Sequence, residues 1–332
     1  MKGPVLLVKR RAFCFGDCES RHEPRRSASI KANVARRAST AQSTSMRIVR
    51  PATLAALLLA SASVSATPPS TAQIGETYEI TLTKDSSSEG SDGSTESTHD
   101  QDVLIERIER VRPDGFEVLF DLPQSATADD RRRSWQFPAR VFEPFNGSPK
   151  LLNAPQLEDR VDAWLKEANI NRQACGHWIF TWNAFRIECD PQSVLETVAL
   201  FDPKLPPLRQ GELYEEAHAL RPAPLILKSS SSTDSTFTAS LEAAPNAIHR
   251  EAAEADVVIG EITRKPVSLE AALAGRAKET VSGTIEVTID ADTAGSMRRL
   301  TKVTKLRTRR ADGTVEMRTA TETLGRRLIE SK

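Results

Sequence analysis

The chain has 332 residues, with 45 Lys+Arg against 45 Asp+Glu, 39% hydrophobic and 5% aromatic residues. The zero net charge conceals an asymmetry: residues 1–66 hold 12 of the basic and 3 of the acidic side chains, which leaves residues 67–332 at 33 against 42, a net of −9. An acidic body of that kind repels phosphate backbones and argues against nucleic acid as the main partner.

Residues 1–45 carry Arg10-Arg11, Arg25-Arg26 and Arg36-Arg37 among serines and few acids. This stretch reads as a non-native or disordered N-terminal extension ahead of an initiator at Met46. An organelle transit peptide shares the composition and stays open as a rival. A twin-arginine export signal fits less well, because no apolar run follows Arg36-Arg37.

Met46 to Arg50 is a short basic start, Leu54 to Ala60 an apolar core, and Val64-Ser65-Ala66 a small-residue cut site. Those are the three parts of a secretory signal peptide, with cleavage expected between Ala66 and Thr67. The apolar run falls short of the roughly 20 residues that span a bilayer. No later segment is apolar enough to serve, so the product is expected in the periplasm or secreted, and not membrane-spanning.

Glu76 to Thr83 alternates, with Tyr78, Ile80 and Leu82 on one side, and predicts a half-buried strand. Residues 85–101 are Ser-rich and acidic, with Gly90 and Gly93, and read as a mobile loop. Val103 to Val111 reads as a second strand with a bulge. Arg112-Pro113-Asp114-Gly115 makes a turn, and Phe116, Val118, Phe120 and Leu122 alternate on the return strand. Thr127 to Arg133 suggests one helical turn. Trp135 to Phe142 looks extended, with Pro138 at a bend or edge.

Asn153-Ala154-Pro155-Gln156 predicts a capped helix start, followed by Leu157, Val161, Trp164, Leu165 and Ala168 on one face. Asp190-Pro191 predicts another, with Asp190 as cap. Residues 67–202 thus form an N-terminal region of hairpins and helices. Pro203, Pro206, Pro207, Pro222 and Pro224 mark residues 203–224 as a connector.

Residues 225–328 read as an antiparallel β region. Leu225 to Leu227 pairs with Thr236 to Leu241. A short helix follows over Ala247 to Ala255, then a strand over Asp256 to Thr263 and a helix capped by Ser268. Thr284 to Asp290, Met297 to Arg309 and Val315 to Leu324 form a meander, rich in Thr and Arg, with one wet face.

Cys175 and Cys189 are an even pair in an exported chain and predict a disulfide. Fourteen residues of helix would hold them ~21 Å apart; a disulfide needs Cα atoms roughly 4.4–6.8 Å apart. The chain between them must therefore reverse, near Trp182-Asn183. Zinc ligation by Cys175, His177 and Cys189 lacks the spacing of a zinc finger, and neither a metal nor a cofactor is expected.

Trp178, Phe180 and Trp182 alternate on one strand face and are candidate stacking residues for a sugar or apolar ligand; plugging the core under the disulfide is the competing role. The strip Arg298, Arg299, Lys302, Lys305, Arg307, Arg309 and Arg310 is basic within an acidic protein. Arg299, Lys305 and Arg307 are candidates for an anionic lipid or polysaccharide, against pairing with neighbours such as Glu316 and Glu322. Glu106/Glu109 and Glu215/Glu216 read as surface pairs. Asp290-Ala291-Asp292 lacks the Gly and Glu of a calcium loop. No G-x-S-x-G elbow appears, and no catalytic residue is assigned; His177, His218 and His249 stay open for a site assembled in space.

The export leader and Thr-rich meander, chiefly over 225–325, resemble periplasmic proteins of Gram-negative bacteria, in particular the curved half-open sheet of lipoprotein-carrier-like proteins. That resemblance implies an apolar groove and identifies no binding residue. The expectation is an α+β protein: a curved antiparallel sheet of meander hairpins with two or three packed helices. Its role is expected to be that of a non-catalytic binding or envelope-associated module for an apolar or envelope-derived ligand, the partner a lipid, glycan or envelope protein. An envelope hydrolase and a structural interaction module are the alternatives.

Overall fold

The computed structural model describes residues 73–180 and 184–330, all within one compact unit. In chain order the elements are β1 (Thr77–Gly90), β2 (Thr95–Arg112), β3 (Gly115–Asp121), α1 (Ala128–Arg133), β4 (Ala139–Pro144), β5 (Lys150–Leu151) and α2 (Ala154–Glu167). Next come β6 (Trp178–Phe180), β7 (Ala184–Arg186), α3 (Ser193–Ala199), β8 (Leu213–Tyr214), β9 (Ala223–Pro224), β10 (Ile226–Ser230) and β11 (Asp234–Glu242). The chain closes with α4 (Pro245–Ile262), α5 (Leu269–Arg276), β12 (Thr280–Asp292), β13 (Met297–Arg309) and β14 (Val315–Glu330). The export leader, its cut at Ala66/Thr67 and Trp182 lie outside the described residues.

Ten strands form one curved, open antiparallel sheet in the order β10-β11-β12-β13-β14-β1-β2-β3-β4-β5. It is two meanders sewn together where β14 pairs with β1, from Thr77↔Glu330 to Gly90↔Glu316. Strands before and after residues 203–224 thus share one sheet.

Residues paired across strands share a face, and successive residues alternate. One face carries a transverse apolar row of Phe237, Ile289, Leu300, Leu324 and Leu82, one residue per strand from β11 to β1. We call it the inner face. Its β1–β4 end is buried under Leu157, Val161 and Leu165 of α2 and Val194 and Val198 of α3. Its β11–β12 end is buried under Tyr214 and Leu225, and Met297 and Leu300 touch both clusters. The i, i+4, i+8 spacing in α2 is what aims three apolar side chains at the sheet.

Four expectations are corrected. Residues 85–101 are not a mobile loop: β1 reaches Gly90 and β2 starts at Thr95. Composition misled because backbone pairing, not burial, orders this arm; β1 is bonded on both sides, to β2 and β14. The β1–β2 and β13–β14 tips also join, Ser91 N–H donating to the Val315 carbonyl at 2.8 Å. Residues 256–263 are not a strand but the second half of α4. The β-branched run Val257-Val258-Ile259 favours a strand locally, but α5 packs alongside. Gly260 lets the Lys265 carbonyl come within 2.8 Å of where a Cβ would sit. Asn153 makes no cap bond; its Oδ1 accepts from Arg140 N–H and its Nδ2 donates to the Pro138 carbonyl, tying α2 to β4. Asp190 sits ahead of the α3 N-cap, which is Gln192, and accepts that residue's N–H at 2.9 Å.

Other expectations hold. The predicted bulge in β2 falls between Ile108 and Arg110. The helical turn expected over Thr127 to Arg133 is α1, which Thr127 is found to cap through a reciprocal bond with Asp130, and Ser268 caps α5 as expected. Cys175 and Cys189 are joined, with Cα atoms 5.6 Å apart, and β6 pairs back on β7 between them.

Candidate functional site

Strand β13 carries most of the basic strip, and strand alternation divides it between two faces. On the inner face Lys302 is 19% exposed and lies 3.4 Å from Glu216 and 3.5 Å from Glu322. At the two ends of the strip, Arg298 pairs with Asp234 and Arg310 with Glu316.

Arg299, Lys305, Arg307 and Arg309 all fall on the outer face and are exposed. Among the described residues none of the four has an ion-pair partner. Their cross-strand neighbours explain why. Lys305, Arg307 and Arg309 lie opposite Thr284, Ser282 and Thr280 on β12, and opposite Thr319, Met317 and Val315 on β14. All six are uncharged. Arg299 lies opposite Asp290, whose carboxylate accepts from Thr236, and opposite Gly325. The expected pairing with Glu316 and Glu322 is real but belongs to Arg310 and Lys302.

Beside this row an open depression of about 270 Å³ is bordered by Arg221, Ser240, Glu242 and Thr284, the last being the residue opposite Lys305. Transverse rows of hydroxyls run alongside: Thr238, Thr288, Thr301, Thr323 and Thr83 line up across five strands on the same outer face. Threonine suits a strand surface that stays wet.

No protein-family model and no curated protein matches the chain. Among solved structures, one of lipid–protein interactions in lipovitellin aligns at 8% identity and TM-score 0.35, over 78% of this chain and 26% of that one. The attachment invasion locus protein Ail of Yersinia pestis aligns at 4% identity and TM-score 0.18, over 77% of this chain and all of that one. The chain thus spans about a quarter of the lipovitellin chain. At these scores neither likeness bears on the ligand.

The inner face carries two polar groups that sequence patterning missed. Glu216, read as a surface residue, is 12% exposed; it faces Lys302 and His218, and His218 Nε2 lies 3.1 Å from Glu251 on α4. Burial pushes the Glu216 carboxyl up, but His218 and Lys302 outweigh it and hold it below the usual carboxylate range. Burial and the Glu216 charge push the Tyr214 phenol up.

The second group lies toward β4. Glu106, also read as surface, is 9% exposed and receives two hydrogen bonds from Arg326, which stacks 3.6 Å over the Tyr78 ring. Burial pushes Glu106 up while Arg326 pulls it down. Half-buried Glu143 has no such partner among the described residues. Burial, with the Asp202 and Glu106 charges, raises it from 4.5 to about 7. A buried carboxylate announces itself in sequence only as an acid at an apolar-phase position, as Glu106 does between Leu104 and Ile108.

Of the aromatic candidates, Trp178 is the one whose side chain lies among the described residues. Ile179 of β6 packs on the inner-face core, and Trp178 is half-buried, its N–H donating to Glu261 of α4 at 3.1 Å. Phe180 is placed only as a β6 backbone position. His177 Nδ1 also meets Glu261, at 3.3 Å, and His249 Nε2 is buried without a hydrogen-bond partner among the described residues. Among the described residues no three His, Cys, Asp or Glu side chains converge as a metal site.

Proposed function

We propose that this chain is an exported, non-catalytic binding module that presents the outer face of β12–β14 to an anionic ligand of the cell envelope. One observation carries the reading. The two faces of a single strand are treated differently: Lys302 on the inner face lies between two carboxylates, while on the outer face Arg299, Lys305, Arg307 and Arg309 have none among the described residues. Sheet stability alone favours opposite charges across strands and disfavours cations at i, i+2 with nothing to offset them. A row kept bare is a row whose counter-ion arrives from outside. Inside an acidic body it also orients an approaching anion.

The joined Cys175–Cys189 pair fits an oxidising compartment, and no helix among the described residues is long and apolar enough to cross a membrane. Binding needs no reaction. Anionic groups exchange water and counter-ions for guanidinium and ammonium donors, while the flanking hydroxyls of Thr284 and Thr319 offer neutral hydrogen bonds. Guanidinium groups grip planar carboxylate or phosphate oxygens in pairs.

The test is binding of polygalacturonate and of phosphatidylglycerol vesicles as salt rises, with dextran and phosphatidylcholine as neutral controls. The account expects at least one anionic probe to bind at low salt and to weaken as exposed charges are screened. Absence of binding to both at low salt overturns it.

A further inference from the structure

We infer that the ligand is a linear polyanionic glycan lying along β13 from Arg299 to Arg309, rather than a compact anionic headgroup. This rests on the reading above and narrows its ligand. The argument is the layout of the charges. Lys305, Arg307 and Arg309 alternate on one strand, so their Cα atoms repeat about every 6.6 Å, and Arg299 extends the line to about 33 Å. A headgroup touches one or two such positions. A chain bearing one acid per sugar touches all four.

The line is flanked, not walled. On β12 it runs beside Thr284, Ser282 and Thr280, and on β14 beside Thr319, Met317 and Val315. Those are short hydroxyls and small apolar surfaces, and Met317 is 51% exposed. Sugars present the matching pair of chemistries: hydroxyls at their edges and C–H on their faces. Between Arg299 and Lys305 the outer positions are Thr301 and Val303; Glu286 stands opposite Val303, and its carboxylate accepts from the Ser240 hydroxyl at 2.7 Å. The depression at Arg221 opens off the line at Thr284. It gives a branch or a bent chain somewhere to go. No acidic side chain sits directly opposite the line from Lys305 to Arg309, so a continuous anion meets no repulsion there.

A lipid bilayer is the competing partner. It would favour exposed apolar residues around the cations, but only Met317 on this stretch is a large exposed hydrophobic.

Length dependence separates the cases. Galacturonate oligomers of increasing length are titrated against the exported protein, alongside phosphatidylglycerol vesicles. The inference expects affinity to climb with oligomer length and level off once the chain spans Arg299 to Arg309. It also expects Arg299→Glu to weaken long oligomers several-fold and leave the shortest binding ones unchanged. Affinity per charge that is flat with length overturns the inference. Vesicle binding without oligomer binding also overturns it, while leaving the anionic-ligand reading standing. Binding of neither overturns both.

Discussion

At the scale of single residues, two lysines three positions apart on β13 have opposite fates. Lys302 is enclosed by Glu216 and Glu322, and Lys305 faces solvent beside threonines. Lys302→Met removes a cation between two carboxylates and should cost about 1–3 kcal/mol of stability, without loss of anion binding. Lys305→Gln should do the reverse. Chemical denaturation and probe binding on the two variants check both. Sequence placed these residues in one strip because charge alone does not show which face a lysine occupies; only strand phase does, and a bulge at Arg298 resets it.

Glu143 makes the pH prediction. Its carboxyl sits at about 7 in the fold against 4.5 in the free chain. A raised carboxyl binds its proton more tightly when folded, so its contribution is complete below pH 4.5 and is lost as pH rises through 7. The fold should therefore weaken by about 2–3 kcal/mol between pH 4.5 and 8 from this group. Glu143→Gln should flatten that slope in urea melts across the range; an unaltered slope would contradict a raised Glu143 carboxyl.

At the scale of elements, two hairpins were legible because each has its own turn chemistry. Pro113-Asp114 and Asp312-Gly313 stand where the chain reverses, and Gly313 holds a positive φ of 91°; Asp92-Gly93 also turns the chain, with Gly93 at 85°, but its serine-rich, acidic flanks hid that hairpin. The second half of α4 was not legible, because a β-branched run overrode the cue that Ala253, Ala255 and Gly260 supply: small residues where another helix lies close. Gly283 is a sharper case. A Cβ there would lie 2.2 Å from the Lys305 carbonyl. Gly283→Val should push β12 from β13 beside the cationic line, lowering both stability and anion binding. Breaking the Cys175–Cys189 loop by paired serine substitution should cost about 3 kcal/mol and leave anion binding intact, since the disulfide lies on the inner-face side.

At the scale of the whole molecule, the seam between β14 and β1 joins the first and last strands of the fold. Nothing local in Thr77–Gly90 or Val315–Glu330 names the other as partner, and such distant pairing escapes a reading by periodicity. Most strands and helices could be read; the β1–β2 arm, the second half of α4 and the closure into one ten-stranded sheet could not. The candidate cations were legible as a basic strip, while their separation from the Trp178 hairpin needed the fold. Because Leu324 sits at the seam and in the shared core, Leu324→Ala should lower the stability of the entire sheet, in one transition, by about 2–5 kcal/mol. Fluorescence and far-ultraviolet dichroism melts should stay coincident.

The most direct test of the bare cationic row is calorimetric titration of polygalacturonate into the double variant Lys305→Glu/Arg307→Glu, beside the wild-type protein. The account predicts at least a roughly tenfold loss of affinity, equivalent to about 1.4 kcal/mol, at an unchanged unfolding midpoint. Equal affinity in a variant that melts like the wild type would contradict it.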